Sequence, residues 1–349
     1  MTTQLEATVD HGAIDEDDYF RGVSAGMPEG SRRVIDGLEK VKSVYVTCGR
    51  DDALLTGFNR FLERYVATRR LPKQEAECFF LVGPSGAGKT SAIGRMLREH
   101  EALRPIRKPY GLAPRYVSIK LKGYSHPRLV GTQIIREAGY GLVAKMGRGE
   151  VWDGMAGILQ SQGVFLVHID EAQHLLKRNA SEAEREELAN AIKGVAIDTK
   201  WPVAFVFSGL PEVLGLPVGD QQVERRGNFI GFADVAMPDE RDLVLNILSE
   251  MGEPVGIVSD HFKDTDLPER LAFAARYRYA RICQLVEGAL QEALHWQKTR
   301  LTTGHFAVAF ERRSLVYGQD DKNPFLAEHW RHLRQGSFLT VDDAPAHAS

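Results

Sequence analysis

The sequence predicts an α/β protein: a parallel sheet covered by helices on both faces, followed by a small all-helical second domain. Three observations carry this. Short apolar runs alternate with helical-period segments across residues 75–236, the order that parallel strands joined by crossover helices require. A complete glycine-rich segment, Gly83-Pro84-Ser85-Gly86-Ala87-Gly88-Lys89-Thr90, stands between the first apolar run and the helical pattern after it. Beyond Pro238 the strands stop, and residues 239–252, 267–276 and 279–299 all show helical periodicity.

In chain order, residues 1–35 read as a mobile tail, because Asp15, Glu16, Asp17 and Asp18 stand together with little apolar periodicity. Residues 52–69 repeat apolar positions at helical spacing. CFFLVG (78–83) is a buried strand ending in glycine, and a helix runs from Lys89 to about His100. RYVSIKL (115–121) is a second strand, residues 127–146 and 150–161 are helical, and VFLVHID (164–170) is a third strand. Residues 181–197 form a helix, PVAFVFSG (202–209) a fourth strand, and a fifth lies near 228–236. The expected domains are therefore a tail (1–35), an α/β nucleotide-binding domain (36–237), a helical domain (238–300) and a C-terminal extension (301–349).

Composition narrows the function classes. The chain has 349 residues, 43% of them apolar and 26% charged, the profile of a soluble globular protein. A formal net charge of -3 excludes a molecule that is basic all over. Cys48, Cys78 and Cys283 are scattered and form no CxxC pair, which argues against a disulfide framework and against a zinc site. The acidic N-terminus is no secretory signal and no apolar run is long enough to span a bilayer, so the expected location is the cytoplasm.

GPSGAGKT matches GxxxxGK[ST] in full. Its glycines let the backbone fold round phosphate oxygens with several N–H groups pointing inward, and the helix after it adds a partial positive charge. Gly83, Pro84, Ser85, Gly86, Ala87, Gly88, Lys89, Thr90 and Ser91 are the candidate ATP-binding residues, with Lys89 reaching the β and γ phosphates and Thr90 coordinating Mg²⁺. The strand VFLVHID ends in two carboxylates: Asp170 to hold Mg²⁺, directly or through water, and Glu171 to polarise the attacking water. His168 points to the opposite face from its neighbours and reads as structural. The string Asp170-Glu171-Ala172-Gln173 also occurs in DEAQ-type helicases, but those need a second sheet domain, which the helical region after 238 does not offer.

Further candidates follow. Ser208, ending the fourth strand, either touches the γ-phosphate or the water, or only forms a turn. One of Arg225 and Arg226 could act as a finger on a neighbouring subunit's nucleotide, and Arg281 could close over the phosphates from the helical domain. Between Ala102 and Arg136 there is no acidic residue, while Arg104, Arg107, Lys108, Arg115, Lys120, Lys122, Arg128 and Arg136 are all basic, with Tyr124 and His126 among them. Such a stretch suits phosphate-backbone contacts, or is simply a solvated face.

The order of these motifs resembles that of the AAA+ ATPases. GPSGAGKT resembles their Walker A, VFLVHIDEAQHL their Walker B, FVFSGLPEV their sensor 1 strand, ERRGNF their arginine-finger box, and YARICQLVEGALQEA the sensor 2 helix of their lid. Ser208 stands where Asn or Thr is commoner, and Arg278-Tyr279 where Gly-Asn usually precedes the sensor 2 arginine. Within that group the chain is most similar to the TniB/TnsC transposition regulators, near the ExeA-like ATPases, through the helix before the phosphate loop, DEAQHLL, SGLPEV and a late Asn323-Pro324-Phe325. The resemblance implies the P-loop AAA+ three-layer fold, with a parallel five-stranded sheet and an all-helical lid. It also implies a slow, regulatory ATPase that assembles as a ring or helical filament on double-stranded DNA, with a transposase and a target-selector protein as candidate partners. Lys120, Lys122 and Arg128 would then track the DNA backbone, and Asn323-Pro324-Phe325 would contact a partner protein. Other readings are an ExeA-like ATPase, which normally carries a membrane span; a replication initiator or clamp-loader type, which would carry a winged helix that residues 300–349 are too short for; and a nucleotide-binding adaptor with dispensable hydrolysis.

Overall fold

The computed structural model describes residues 15–69, 78–109, 111–141, 150–176, 182–216, 227–314 and 318–334. In chain order the elements are α1 (Glu16–Ala25), α2 (Glu29–Ser43), α3 (Gly49–Thr68), β1 (Cys78–Val82), α4 (Lys89–Glu99), β2 (Ile106–Lys108), β3 (Gly111–Ala113), β4 (Tyr116–Lys120), α5 (Pro127–Glu137), α6 (Glu150–Asp153), α7 (Met155–Gln162), β5 (Leu166–Asp170), α8 (Glu182–Ala196), β6 (Ala204–Gly209), β7 (Gly227–Gly231), α9 (Arg241–Gly252), α10 (Leu267–Ala274), α11 (Tyr279–His295) and α12 (Thr303–Ser314). The chain divides into two compact units: residues 47–235 with 278–281, and residues 1–46, 236–277 and 282–349.

The first unit is built on a five-stranded sheet in the order β4-β5-β6-β1-β7, every neighbouring pair parallel. The central strands β5, β6 and β1 are almost wholly buried, as strands covered on both faces must be, whereas the edge strand β4 alternates buried Val117 and Ile119 with exposed Ser118 and Lys120. Alternation along β1 makes the division plain. Phe79 turns to one face, where it meets Phe58 and Phe61 of α3 at ring distances of 5.7 and 5.6 Å. Phe80 turns to the other, stacking between Phe207 (5.2 Å) and Phe229 (5.0 Å) and joining Val117, Val167, Ile169 and Ile192 in the larger core. A small antiparallel hairpin, β2 with β3, stands outside the sheet; its three-residue strands are too short to leave a period in the sequence.

Helix lengths differ from the expected ones at glycines. α5 ends at Glu137 rather than at 146, with Gly139 left-handed (φ 88°) just beyond; residues 142–149 lie outside the described residues. The helix expected over 150–161 is two pieces, α6 and α7, parted at Gly154.

The second unit is helical among its described residues. Residues 16–25 and 29–43 are helices, where the sequence reading has a mobile tail up to residue 35. The acidic cluster is a helix start: the Asp15 carboxylate accepts the Asp18 N–H at 3.1 Å, and Glu16, Asp17 and Asp18 fill the first turn, where the helix dipole favours negative charge. α2 buries Val34, Gly37 and Val41; a Cβ on Gly37 would lie 2.7 Å from Leu294 of α11.

Asn323-Pro324-Phe325 is part of this interior, contrary to the expectation of a partner-contacting tail. Asn323 is fully buried and Phe325 is 3% exposed. The Asn323 amide donates to the Ala307 carbonyl (3.0 Å) and its oxygen accepts the Phe325 N–H (3.0 Å), while Arg270 donates to the Pro324 carbonyl (2.8 Å). Phe325 stacks on Phe306 at 5.5 Å. What looks like a polar recognition motif is a buried turn whose Asn323 amide and Pro324 carbonyl find partners inside the protein. Asn323→Ala should therefore lower unfolding stability by about 2 kcal/mol, seen as a lower urea midpoint at unchanged slope.

Candidate functional site

The glycine-rich segment links β1 to α4, at the carboxyl edge of the sheet, where open α/β sheets bind ligands. Gly86 (φ 79°) and Gly88 (φ 90°) both occupy the left-handed region, which other residues enter only at a cost of about 1–2 kcal/mol. That pair of turns lets the backbone close into a cradle and begins α4 directly at Lys89. Lys89 is 8% exposed, and its ammonium donates to the carbonyls of Gly83 (2.7 Å) and Pro84 (2.9 Å) across the loop. Burial pushes its pKa below the usual lysine value, and the carboxylates of Glu171 and Asp170 pull it back up.

Asp170 ends β5, two strands away from β1, with β6 between them. The Thr90 hydroxyl, in the first turn of α4, donates to Asp170 Oδ2 at 3.0 Å and so closes the distance between the two motifs. The other oxygen, Oδ1, accepts the Ser208 hydroxyl at 2.6 Å, as the register Asp170–Ser208 between β5 and β6 allows. Hydroxyl and carboxylate oxygens together suit a hard cation such as Mg²⁺ better than a soft one. The described residues contain no cluster of three His, Cys, Asp or Glu able to cage a metal alone, so these two oxygens fit Mg²⁺ brought in with phosphate oxygens.

Glu171 follows in the left-handed region, with φ 55° and ψ 40°. For a side-chain-bearing residue this is strained backbone, the kind found where a side chain must be aimed. Its carboxylate accepts a hydrogen bond from the Gln173 amide, and the Gln173 oxygen accepts the Leu210 N–H at 3.1 Å. Glu171 is thus tied to the residues just beyond β6. Sequence reading does not single out Gln173, because only the strand order brings Leu210 beside it.

Ser208 is fully buried, and its hydroxyl is spent on Asp170 rather than pointing into the cradle. His168 Nε2 lies 2.9 Å from the same hydroxyl, and His168 Nδ1 lies 2.8 Å from the Ser118 hydroxyl of β4. Burial lowers the His168 pKa to about 4, so the imidazole is neutral at pH 7.

Residues 278–281 belong to the same unit as the cradle. The Gly86 carbonyl accepts the Ala280 N–H at 2.8 Å, and a Cβ on Gly86 would lie 3.4 Å from Arg281 Cγ and 3.5 Å from Arg278 Cβ. Arg281 is therefore beside the loop, and so is Arg278, which was named only as a departure from the sensor 2 pattern; Arg278 pairs with Asp234. Arg225 and Arg226 lie outside the described residues.

The acid-free stretch is not one basic face. Arg104 pairs with Glu101, Lys108 donates to the Ser161 carbonyl (3.0 Å) and Arg115 to that of Ala102 (3.4 Å). Lys120 ends β4 opposite Asp170, with Nζ 3.9 Å from Asp170 Oδ2, so it borders the carboxylate site. Lys122, Tyr124 and Arg128 are exposed on the following loop and the first turn of α5.

Residues 70–216 match the family model of the AAA domain. Curated proteins give no sequence match. Among solved structures, the Aeropyrum pernix ORC2 protein, in its ADPNP–ADP complexes, is similar with a TM-score of 0.55 at 14% identity, covering 77% of this chain and 68% of that one. CDC6P from Pyrobaculum aerophilum is similar with a TM-score of 0.54 at 13% identity, covering 78% and 69%. At such identities the likeness is one of fold. The chain carries an AAA domain and has the P-loop AAA+ fold: a five-stranded parallel sheet layered with helices.

Proposed function

We propose that this chain binds Mg²⁺·ATP at the loop between β1 and α4, hydrolyses it slowly, and uses the ATP-bound state to oligomerise on duplex DNA and regulate a transposase at its target site. The observation that carries the nucleotide reading is the Thr90–Asp170 hydrogen bond, which sets a hydroxyl and a carboxylate oxygen 3.0 Å apart beside a glycine-built cradle. In this reading backbone N–H groups of residues 83–91 and Lys89 hold the phosphates, and Thr90 and Asp170 hold the metal, which neutralises phosphoryl charge when bound. Glu171 orients and deprotonates the attacking water. Arg281, with Arg278 beside it, stabilises charge from above the loop, and Arg225 or Arg226 acts on a neighbouring subunit's nucleotide. Ser208 acts through Asp170.

The DNA and transposase parts rest on the motif resemblance to the TniB/TnsC group and on the exposed Lys122, Tyr124 and Arg128; the proposed location is the cytoplasm. Among the described residues no helix is long and apolar enough to cross a membrane. A second reading, an initiator- or loader-type replication ATPase, draws on the fold shared with ORC2 and CDC6P.

Fluorescence anisotropy with labelled duplex tests the first reading. Affinity should be higher with a non-hydrolysable ATP analogue than with ADP; equal affinity in both states would remove the ATP-dependent assembly. Capture of a transposase encoded beside the gene separates it from the second. Lys122→Ala combined with Arg128→Ala should weaken binding equally for unrelated sequences and flatten the log–log salt dependence by about 2. An unchanged slope would take those two residues out of the interface.

A further inference from the structure

We propose that His168 is a positioning residue for the metal site: as its Nε2–H tautomer it donates to the Ser208 hydroxyl, orders it, and through it aims the Asp170 carboxylate. The proposal deepens the Mg²⁺·ATP reading and rests on it.

The geometry is a line of side chains crossing three adjacent strands on one face of the sheet. Ser118 pairs in register with His168, and Asp170 with Ser208. Along the line the contacts are Ser118 Oγ to His168 Nδ1 (2.8 Å), His168 Nε2 to Ser208 Oγ (2.9 Å) and Ser208 Oγ to Asp170 Oδ1 (2.6 Å). His168, Ser208 and Asp170 are 2%, 0% and 4% exposed, while Ser118 at the far end of the line is exposed, so the His168–Ser208–Asp170 part is the part closed to water.

Proton counting leaves one arrangement. A carboxylate only accepts, so the bond to Asp170 uses the single Ser208 proton. Ser208 must then accept from His168, which places the ring proton on Nε2. The bare Nδ1 of a neutral imidazole accepts in turn from Ser118. Every hydrogen bond in the line thus points toward Asp170, and its Oδ1 is occupied by a fixed donor. That leaves Oδ2, the oxygen facing Thr90, as the one turned toward the cation. Partners standing behind a metal-holding group orient it and raise its affinity for the ion. Without the His168 donor the Ser208 hydroxyl is free to rotate away, and Asp170 loses its anchor.

Two measurements test this on the full-length chain. In ¹⁵N-histidine-labelled protein, with the His168 signal assigned by its absence from His168→Gln, the imidazole should be neutral and protonated on Nε2 alone. Ser118→Ala should leave that preference in place, because Ser208 and Asp170 set it; its loss in that variant would overturn the proton count. An Nδ1-protonated or averaging ring in the wild type overturns the proposal. The second measurement titrates a fluorescent ATP analogue over a range of Mg²⁺ and also in EDTA. Gln carries an N–H near the place of Nε2, whereas Asn reaches only the Ser118 side. His168→Asn and His168→Phe should raise the half-saturating Mg²⁺ concentration about tenfold, the low end for a group standing behind a metal ligand, with affinity in EDTA unchanged. His168→Gln should stay within about twofold of wild type by the same reasoning. Equal behaviour of the Asn and Gln variants, or wild-type behaviour of the Phe variant, overturns the positioning role. Wild-type protein that binds no nucleotide sinks the Mg²⁺·ATP reading instead, and the tautomer spectrum then decides the relay by itself.

Discussion

Lys89→Ala should abolish measurable nucleotide binding. Lys89 sits in the first turn of α4, is almost wholly buried, and spans the loop to the carbonyls of Gly83 and Pro84. An ammonium in that place, with cradle amides around it, meets the terminal phosphates as a charge-assisted donor. Removing it deletes at least one hydrogen bond to a charged group and leaves phosphate charge uncompensated in a partly desolvated site. The loss should be at least about 3 kcal/mol, or somewhat more than a hundredfold in Kd. Titration of the variant with the fluorescent analogue, beside a thermal melt to show that it folds, checks this. Binding within tenfold of wild type would mean that the phosphates lie elsewhere.

Glu171→Gln should separate binding from turnover. Gln matches Glu in size and keeps an oxygen for the Gln173 amide, so the strained backbone at residue 171 and its link to Leu210 survive the change. What it lacks is the ability to take a proton. General-base loss of this kind costs about 10²- to 10⁴-fold in turnover. Phosphate release should fall by that factor while ATP affinity stays within twofold or so of wild type. ATP-bound oligomers should then accumulate, visible as a larger species in size-exclusion chromatography with ATP. Normal turnover would remove Glu171 as the base and turn attention to other groups near the loop.

The parts of this site that were legible in the sequence are those whose chemistry is local. GPSGAGKT carries its own geometry, since positive φ at Gly86 and Gly88 is a property of glycine and the helix begins at the next residue. The centre of the sheet was legible because its strands are apolar on both faces, as the opposed packing of Phe79 and Phe80 on β1 shows. The relay behind Asp170 was not legible. Ser118 and His168 are 50 residues apart and His168 and Ser208 are 40, and nothing but the order β4-β5-β6 sets them in a row. His168 looked structural because it lies inside a strand, and it is so in the sense that it holds another side chain in place. Asn323-Pro324-Phe325 misled for the opposite reason: a polar residue before Pro-Phe near the end of a chain looks exposed, and only Ala307 and Arg270, distant in sequence, reveal that its polar groups point inward. The acidic run at 15–18 misled because charge density was weighed above its fit to a helix N-terminus.

Ser208 shows a further limit of reading roles from motif order. At the end of β6 it is expected either to reach the phosphate or the water or only to form a turn, and in the structure its single proton is given to Asp170. Lys120, which the family resemblance implies for DNA contact, is exposed and also stands across from Asp170 by the register of β4 with β5.

The central claim is that the loop between β1 and α4, with Thr90 and Asp170, encloses the phosphates of Mg²⁺·ATP. Isothermal titration calorimetry of folded wild-type protein with ATP tests it most directly. The account predicts saturable heat at one nucleotide per chain, with tighter binding when Mg²⁺ is present than in EDTA. A well-folded sample that gives no heat with ATP and Mg²⁺ would contradict it.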